Sequence, residues 1–76
     1  MNWLPLESEM LASVVYDDDK QILYLRFIKT GDVYRYFEFP AAEYQAFLDA
    51  LSHGRFFLAS IRNCFPYERM AKLRAA

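Results

Sequence analysis

The chain has 76 residues, of which 55% are hydrophobic and 18% aromatic, and its formal net charge is −1. A chain of this length forms one domain that buries only about six-tenths of its unfolded surface, so we expect dense aromatic packing. The single cysteine excludes an intrachain disulfide. The sequence begins without a basic apolar leader and contains no uncharged run of about 18 residues, so it predicts a cytoplasmic protein rather than a secreted or membrane protein.

Three segments with alternating apolar residues predict the strands of an antiparallel meander. They cover residues 7–16, residues 21–28 and residues 33–39. A run of three aspartates and a lysine, residues 17–20, predicts the first turn, because aspartate bonds its own backbone and tolerates left-handed geometry. Thr30-Gly31 predicts the tip of the second turn, with the glycine at a positive φ.

A helical pattern begins after Pro40, which suits the first turn of a helix because its missing N–H costs little there. Four apolar side chains between residues 44 and 51 recur at helical spacing, and Gly54 is the expected terminator.

Two more helical segments are predicted towards the C-terminus. The first covers residues 55–64, with Cys64 on its apolar stripe, and the second is a short stretch over residues 67–73. The sequence therefore predicts an α+β fold, in which a three-stranded antiparallel β-meander is followed by two or three helices packed on one face.

The bend of the second hairpin determines which side chains share a face of the predicted sheet. A tip at Thr30-Gly31 places Phe27 opposite Tyr34 and Leu25 opposite Tyr36. Both tyrosines then lie on the apolar face that the helices are expected to cover, with their hydroxyls at its edge.

The opposite face of the predicted sheet combines two aromatic and two cationic side chains. Arg26 opposes Arg35 in this register, which is an unfavourable pair of like charges, and Tyr24 opposes Phe37 beside them. Aromatic planes next to guanidinium groups are typical of a surface that stacks bases and binds phosphates. The same residues also fit an ordinary surface cation–π pair or an open sheet face that contacts another protein.

The charges are unevenly distributed along the chain. Residues 1–54 carry four basic and nine acidic side chains, a net charge of −5, whereas residues 55–76 carry five basic and one acidic, a net charge of +4. A basic C-terminal part indicates an anionic partner, although a solvated helix surface, or pairing of Arg62 with a carboxylate, is the favoured explanation. The residues that would extend a nucleic-acid-binding surface are Arg55, Arg62, Arg69 and Lys72.

The sequence offers no constellation of residues for catalysis. Cys64 and His53 are the only thiol and imidazole, and a free cysteine on an apolar stripe acts as a small hydrophobic side chain. His53 is placed to donate to the last carbonyls of the first helix. One Cys and one His cannot build a structural zinc site, and the aspartate run lacks the spaced ligands of a calcium loop. We therefore expect a protein that is not an enzyme and holds no metal or cofactor.

An ordered set of short segments resembles the KTSC domain, a family of small bacterial proteins also found at the C-terminus of some lysyl-tRNA synthetases. The resemblance runs over residues 7–70 and places one domain at residues 7–73, between flexible termini at residues 1–6 and 74–76. Phe39, where an aliphatic residue is common, and the Phe65-Pro66 interruption depart from the pattern. The matching segments are VVYD at residues 14–17, LYLRF at 23–27, the Tyr34-Arg35-Tyr36 family motif, Phe39-Pro40 with Tyr44, A-x-S-x-G at 50–54, Phe56-Phe57 and Ile61-Arg62.

The resemblance implies a β-meander followed by helices and no established activity. RNA binding has been suggested for the family from the synthetase context, which is an argument by domain company. We therefore expect a small non-catalytic binding module. It binds RNA through Tyr24, Arg26, Arg35, Phe37 and the basic C-terminal residues, or alternatively it is a protein-interaction or homodimerisation module.

Overall fold

The fold is α+β, as predicted, but the sheet has five antiparallel strands instead of three. A computed structural model describes residues 2–70, and its strands are hydrogen-bonded in chain order, β1-β2-β3-β4-β5. The strands are β1 (Leu4–Pro5), β2 (Leu11–Asp17), β3 (Ile22–Phe27), β4 (Val33–Tyr36) and β5 (Tyr67–Met70). No helix within residues 2–70 is long and apolar enough to cross a membrane.

Two helical segments connect β4 to β5. Helix α1 (Ala41–Asp49) begins directly after Pro40, as predicted, and α2 (His53–Phe56) continues as a π-helical turn, Phe57–Ile61. Gly54 does not terminate the first helix, because α1 ends at Asp49 and the glycine lies inside α2. Ser52 caps α2 instead, since its hydroxyl accepts from the backbone N–H of Arg55 at 3.2 Å.

The predicted helical stretch at residues 67–73 is wrong over its described part. Tyr67–Met70 is a strand that pairs with β4, and residues 71–73 lie outside the described part of the chain. The second predicted helix also ends earlier than expected, since Asn63 adopts a positive φ of 64° and turns the chain. Cys64 is exposed as a result and does not lie on an apolar stripe.

The pairing of β3 with β4 is shifted by two residues from the predicted register. Leu25 lies opposite Tyr34, and Arg26 opposes Val33 instead of Arg35. The N–H of Phe27 donates to the carbonyl of Asp32 at 2.9 Å, so the loop is longer than a two-residue turn. A shift by two residues keeps each side chain on its predicted face, because side chains alternate with a period of two. The positive φ predicted for Gly31 is confirmed at 71°.

Apolar side chains pack on both faces of the sheet. We call the face that carries Leu25 and Tyr36 the helix face, because α1, α2 and the π-helical turn cover it. Its buried core is Leu11, Val14, Leu23, Leu25, Tyr36, Phe39, Phe47, Phe57 and Ile61. The second face has a smaller buried cluster, Val15, Tyr24 and Val33, packed against the partly buried Trp3, Ile22 and Met70.

The N-terminal strand β1 brings Trp3 to the second face. Leu4 pairs with Val14 and Pro5 with Ser13, so part of the segment 1–6, expected to be flexible, belongs to the sheet. Residues 74–76, the other expected flexible terminus, lie outside the described part.

Candidate functional site

The predicted stacking surface on the second face does not expose its tyrosine. Tyr24 is only 7% exposed and packs with Val15, Val33 and Trp3. Its ring is therefore part of the small core of this face, and the expectation that it presents a free plane for a base is not met.

Both arginines of the second face already have partners. The guanidinium of Arg35 contacts the Glu68 carboxylate at 2.9 Å and lies 5.3 Å from the centroid of the Phe37 ring. The hydrogen bond to Glu68 is the main cause that raises the pKa of Arg35. Arg26 lies over Trp3, with 5.1 Å between the guanidinium carbon and the ring centroid. The four predicted residues thus share one face, but their contacts are made within the protein.

The remaining predicted cations do not converge with these two. Arg55 is exposed on α2, and Arg62 is exposed directly after the π-helical turn. Arg69 lies on the helix face, where its Nε is 3.3 Å from an oxygen of Asp32. Lys72 lies outside the described residues. The predicted set therefore divides between the two faces of the sheet, and its use in nucleic-acid binding stays a prediction.

A different surface on the helix face has the shape of a binding site. The helices leave part of the sheet uncovered there, and an open groove of about 690 Å³ remains. We call it the aromatic groove. Five aromatic side chains line it, namely Phe27, Tyr34, Tyr36, Phe57 and Tyr67, and Lys29, Asp32, Arg62 and Asn63 are among its polar lining residues.

The aromatic rings of the groove pack against one another in a connected cluster. Tyr67 lies 6.0 Å from Tyr34 and 5.9 Å from Tyr36, between ring centroids. Phe27 makes edge contacts with Tyr34 at 5.5 Å and with Phe57 at 5.3 Å. Tyr67 remains 56% exposed, so its ring gives the groove an accessible aromatic plane on a well-packed support.

The phenol of Tyr36 is held neutral at the buried side of this cluster. Burial raises its pKa well above the ordinary tyrosine value, nearby Tyr34 and Tyr67 add to the rise, and the charge of Arg62 opposes it. Tyr36 therefore keeps its O–H as a donor, and Arg62 is near enough to act on it electrostatically.

Unusual backbone geometry forms one wall of the groove. The N–H of Arg62 donates to the carbonyl of Phe57 at 2.8 Å, which is the wider spacing of a π-helical turn. The next residue, Asn63, has a positive φ, and the chain then enters β5 after Pro66. Single π-helical turns are rare and occur frequently at functional sites, so this wall is a local argument for function.

Asp32 is the buried acid of the groove. The residue is 9% exposed, and one carboxylate oxygen contacts Arg69 while the other has no hydrogen bond to residues 2–70. Its backbone N–H donates to the Thr30 hydroxyl at 3.1 Å, which fixes the loop between β3 and β4. The negative charge at this end of the groove is therefore compensated by a neighbouring cation.

The two candidate catalytic side chains have separate surroundings. His53 Nδ1 donates to the Phe47 carbonyl at 3.0 Å, as expected for a side chain near the end of the first helix, and Cys64 is exposed. No group of three His, Cys, Asp or Glu side chains within residues 2–70 is placed to hold a metal ion.

Sequence reasoning placed Tyr34 and Tyr36 correctly on the helix face but missed the groove. The groove depends on Tyr67, which was predicted to lie in a short helical stretch, and on the π-helical turn. In the segment YERM, Glu68 alternates with Tyr67 and Arg69, which is compatible with a strand. The sequence contains no local signal that this strand pairs with β4.

Comparison with known proteins gives consistent results. The KTSC domain family matches residues 7–65. An uncharacterised protein of Stutzerimonas stutzeri (strain A1501) is 42% identical over 57 residues, which cover 75% of this chain and 79% of that protein. The crystal structure of a KTSC domain protein from Yersinia pestis superposes with a TM-score of 0.87 at 31% identity, covering 92% of this chain and 97% of the other.

Proposed function

Because this chain belongs to the KTSC domain family, a family of no established activity, we propose that it is a non-catalytic binding module whose aromatic groove takes single-stranded RNA. The observation that carries the proposal is the exposed ring of Tyr67 on the packed aromatic cluster, in a groove lined also by Lys29 and Arg62. The cytoplasm, where a single unpaired cysteine stays reduced, is the compartment that we propose for it.

Base stacking is the first interaction that the groove supports. Proteins that bind single strands stack successive bases on aromatic side chains, and each stacked base contributes about 1–3 kcal/mol. Tyr67 offers an exposed plane, and Tyr34 is half-buried beside it at 6.0 Å. A volume of about 690 Å³ is within the range of sites that hold small organic molecules, so the groove accommodates a short nucleotide segment.

Phosphate binding is the second interaction. Lys29 and Arg62 line the groove, and neither forms an ion pair with a carboxylate of residues 2–70. Their charges are therefore free to contact an anionic backbone, in contrast to Arg35 on the second face. The Asp32 charge is compensated by Arg69, which reduces its repulsion of a phosphate.

The groove is proposed as a binding site rather than as a catalytic one. Tyr36, whose pKa is raised by burial, stays protonated, and neither His53 nor Cys64 lines the groove. A general base requires a side chain that exchanges its proton near neutral pH within reach of a substrate. We therefore retain the non-catalytic assignment as part of the proposal.

Filter binding with short single-stranded RNA at several salt concentrations tests the proposal. We expect the logarithm of the association constant to fall with the logarithm of salt concentration, with a slope near −0.7 for each phosphate contacted. Tyr67→Ala and Arg62→Gln should each weaken binding about tenfold, through a lost stacking plane and a lost phosphate contact. Circular dichroism establishes that both variants remain folded.

Arg26→Gln provides the matched control, because Arg26 is a cation on the second face that contacts Trp3. We expect it to bind RNA as the wild type does. If Arg26→Gln weakens binding and the groove variants do not, the second face is the site and the groove is not. No measurable binding at low salt would remove the RNA proposal altogether.

A further inference from the structure

Strand β5 is an edge strand whose outer side is open within the described part of the chain. Its only sheet neighbour there is β4. The N–H of Phe37 donates to the carbonyl of Pro66 at 2.8 Å, and Arg35 lies opposite Glu68 in the same register. Antiparallel hydrogen bonds alternate along a strand, so Glu68 directs its backbone groups to β4. The backbone groups of Tyr67 and Arg69 therefore point away from the sheet.

This open edge has few of the features that usually prevent pairing. The opposite edge, β1, has two residues and contains Pro5. Strand β5 has four residues, YERM, with neither a proline nor a register shift in its pairing with β4. Charged side chains are its only protective feature, and the glutamate charge is already compensated by Arg35 at 2.9 Å.

We propose that β5 pairs with the β5 of a second copy of this chain. The two strands run antiparallel about a two-fold axis at Glu68, so Tyr67 of one copy faces the second copy's Arg69 in a hydrogen-bonded pair. The two five-stranded sheets then form one continuous sheet. The pairing shares Tyr67 with the aromatic groove, but it is tested without RNA, so its failure and the failure of the proposed function are distinguishable.

Charge and hydrogen bonding select this register over the other symmetric ones. Only residues with outward backbone groups can form the hydrogen-bonded pairs, so the axis lies at Tyr67, Glu68 or Arg69. An axis at Arg69 sets two guanidinium groups directly opposite each other, which is unfavourable. An axis at Tyr67 places Arg69 opposite Phe65 of the other copy, which lies outside β5 and whose ring already packs against Phe39 at 4.6 Å between centroids.

The axis at Glu68 gives complementary contacts on both faces. On the helix face, each Tyr67, 56% exposed, lies opposite the second copy's Arg69, whose Nε is paired with Asp32 of its own copy and whose side chain is still 60% exposed. On the second face, Glu68 lies opposite Glu68 of the second copy. Each carboxylate is bonded to Arg35 of its own chain, so the two glutamates and two arginines have a net charge of zero. The second copy thus contributes a cation to the side of the aromatic groove. A contact of four residues on each side is small, so we expect weak association.

Disulfide trapping tests the register. In a Cys64→Ser background, Glu68→Cys places one thiol of each copy at the two-fold axis. The two residues form a non-hydrogen-bonded pair of the antiparallel ladder, in which the Cα atoms are about 4.5 Å apart. This separation permits a disulfide. We expect Glu68→Cys to give a covalent dimer on mild oxidation, with no RNA present. Asp49→Cys, on the exposed end of α1, is the matched control and should stay monomeric. Equal cross-linking of both variants would overturn the register.

Sedimentation of the wild type at concentrations up to about 1 mM tests the pairing itself. Arg69→Pro removes an outward N–H and keeps the ladder to β4, whereas Arg69→Gln loses the same charge and keeps the N–H. We expect Arg69→Pro to weaken association at least about tenfold relative to Arg69→Gln. A wild type that stays monomeric over the whole range, or equal association of the two variants, would overturn the proposal. Neither outcome bears on RNA binding by the monomer.

Discussion

The phenol of Tyr36 shows how one buried hydroxyl connects packing to pH. The side chain is enclosed by Phe57 at 5.9 Å and Tyr67 at 5.9 Å, between ring centroids, and burial raises its pKa. The folded protein therefore keeps this proton at pH values where the unfolded chain has lost it. The resulting stability is complete below the ordinary tyrosine pKa of about 10 and is lost as the pH rises above it.

We expect Tyr36→Phe to flatten the loss of stability in alkaline solution. Thermal unfolding of the wild type and the variant, followed from about pH 8 to about pH 11, should show a smaller decrease in Tm for Tyr36→Phe. Some decrease will remain, because burial also raises the pKa of Tyr16 and Tyr44. Tyr67→Phe removes an exposed phenol and is the control, because it leaves the burial of Tyr36, the main cause of the raised pKa, in place. Parallel curves for wild type and Tyr36→Phe would contradict the assignment.

At the scale of the elements, one side-chain hydrogen bond connects strand β2 to the segment that begins α1. The Tyr16 hydroxyl donates to the carbonyl of Phe39 at 2.6 Å, and its ring stacks on Tyr44 at 4.5 Å between centroids. Tyr16→Phe keeps the stacked ring and removes the donor. We expect the free energy of unfolding in urea to fall by about 1 kcal/mol.

Tyr44→Phe is the comparison for this prediction, because it also removes a phenol from the stacked pair. The Tyr44 hydroxyl has no hydrogen bond to residues 2–70, so we expect a smaller effect. An equal loss of stability in the two variants would show that the bond to Phe39 does not contribute.

The elements also show where sequence reasoning succeeds and where it stops. Alternating side chains identified the faces of β3 and β4 correctly, and a hairpin shift of two residues left those faces unchanged. Strand β5 was not predictable in the same way, because Tyr67 and Met70 also fit a helical spacing and only pairing with β4 decides between the two. The groove was missed for this reason.

The contacts of the two arginines on the second face were equally hard to foresee. The sequence predicted Arg26 directly opposite Arg35, whereas the structure places Val33 opposite Arg26 and Tyr24 opposite Arg35 and keeps both arginines on one face. Trp3 directly precedes β1 and Glu68 lies in β5, and neither strand has a strong local pattern. Pairing between strands distant in sequence, rather than local propensity, therefore determines which cations have contact partners within the protein.

At the scale of the whole molecule, the sheet needs apolar cover on both faces. The helices cover one face, and Trp3 with Met70 covers the smaller cluster around Val33 on the other. We expect Trp3→Ala to lower the free energy of unfolding by about 2 kcal/mol, less than for a fully buried tryptophan. Urea denaturation measures the loss. Leu51→Ala, at a fully exposed leucine, should change stability little, and an effect equal to that of Trp3→Ala would contradict the role of Trp3.

The position of Trp3 has a practical consequence for following the protein in solution. It is the only tryptophan of the chain, and its indole lies against the Arg26 guanidinium. Fluorescence excited at wavelengths that tryptophan absorbs and tyrosine does not therefore reports on the docking of the N-terminal segment, without an added label. If that signal and the far-ultraviolet signal of the backbone change together during unfolding, the N-terminal segment and the rest of the domain form a single cooperative unit.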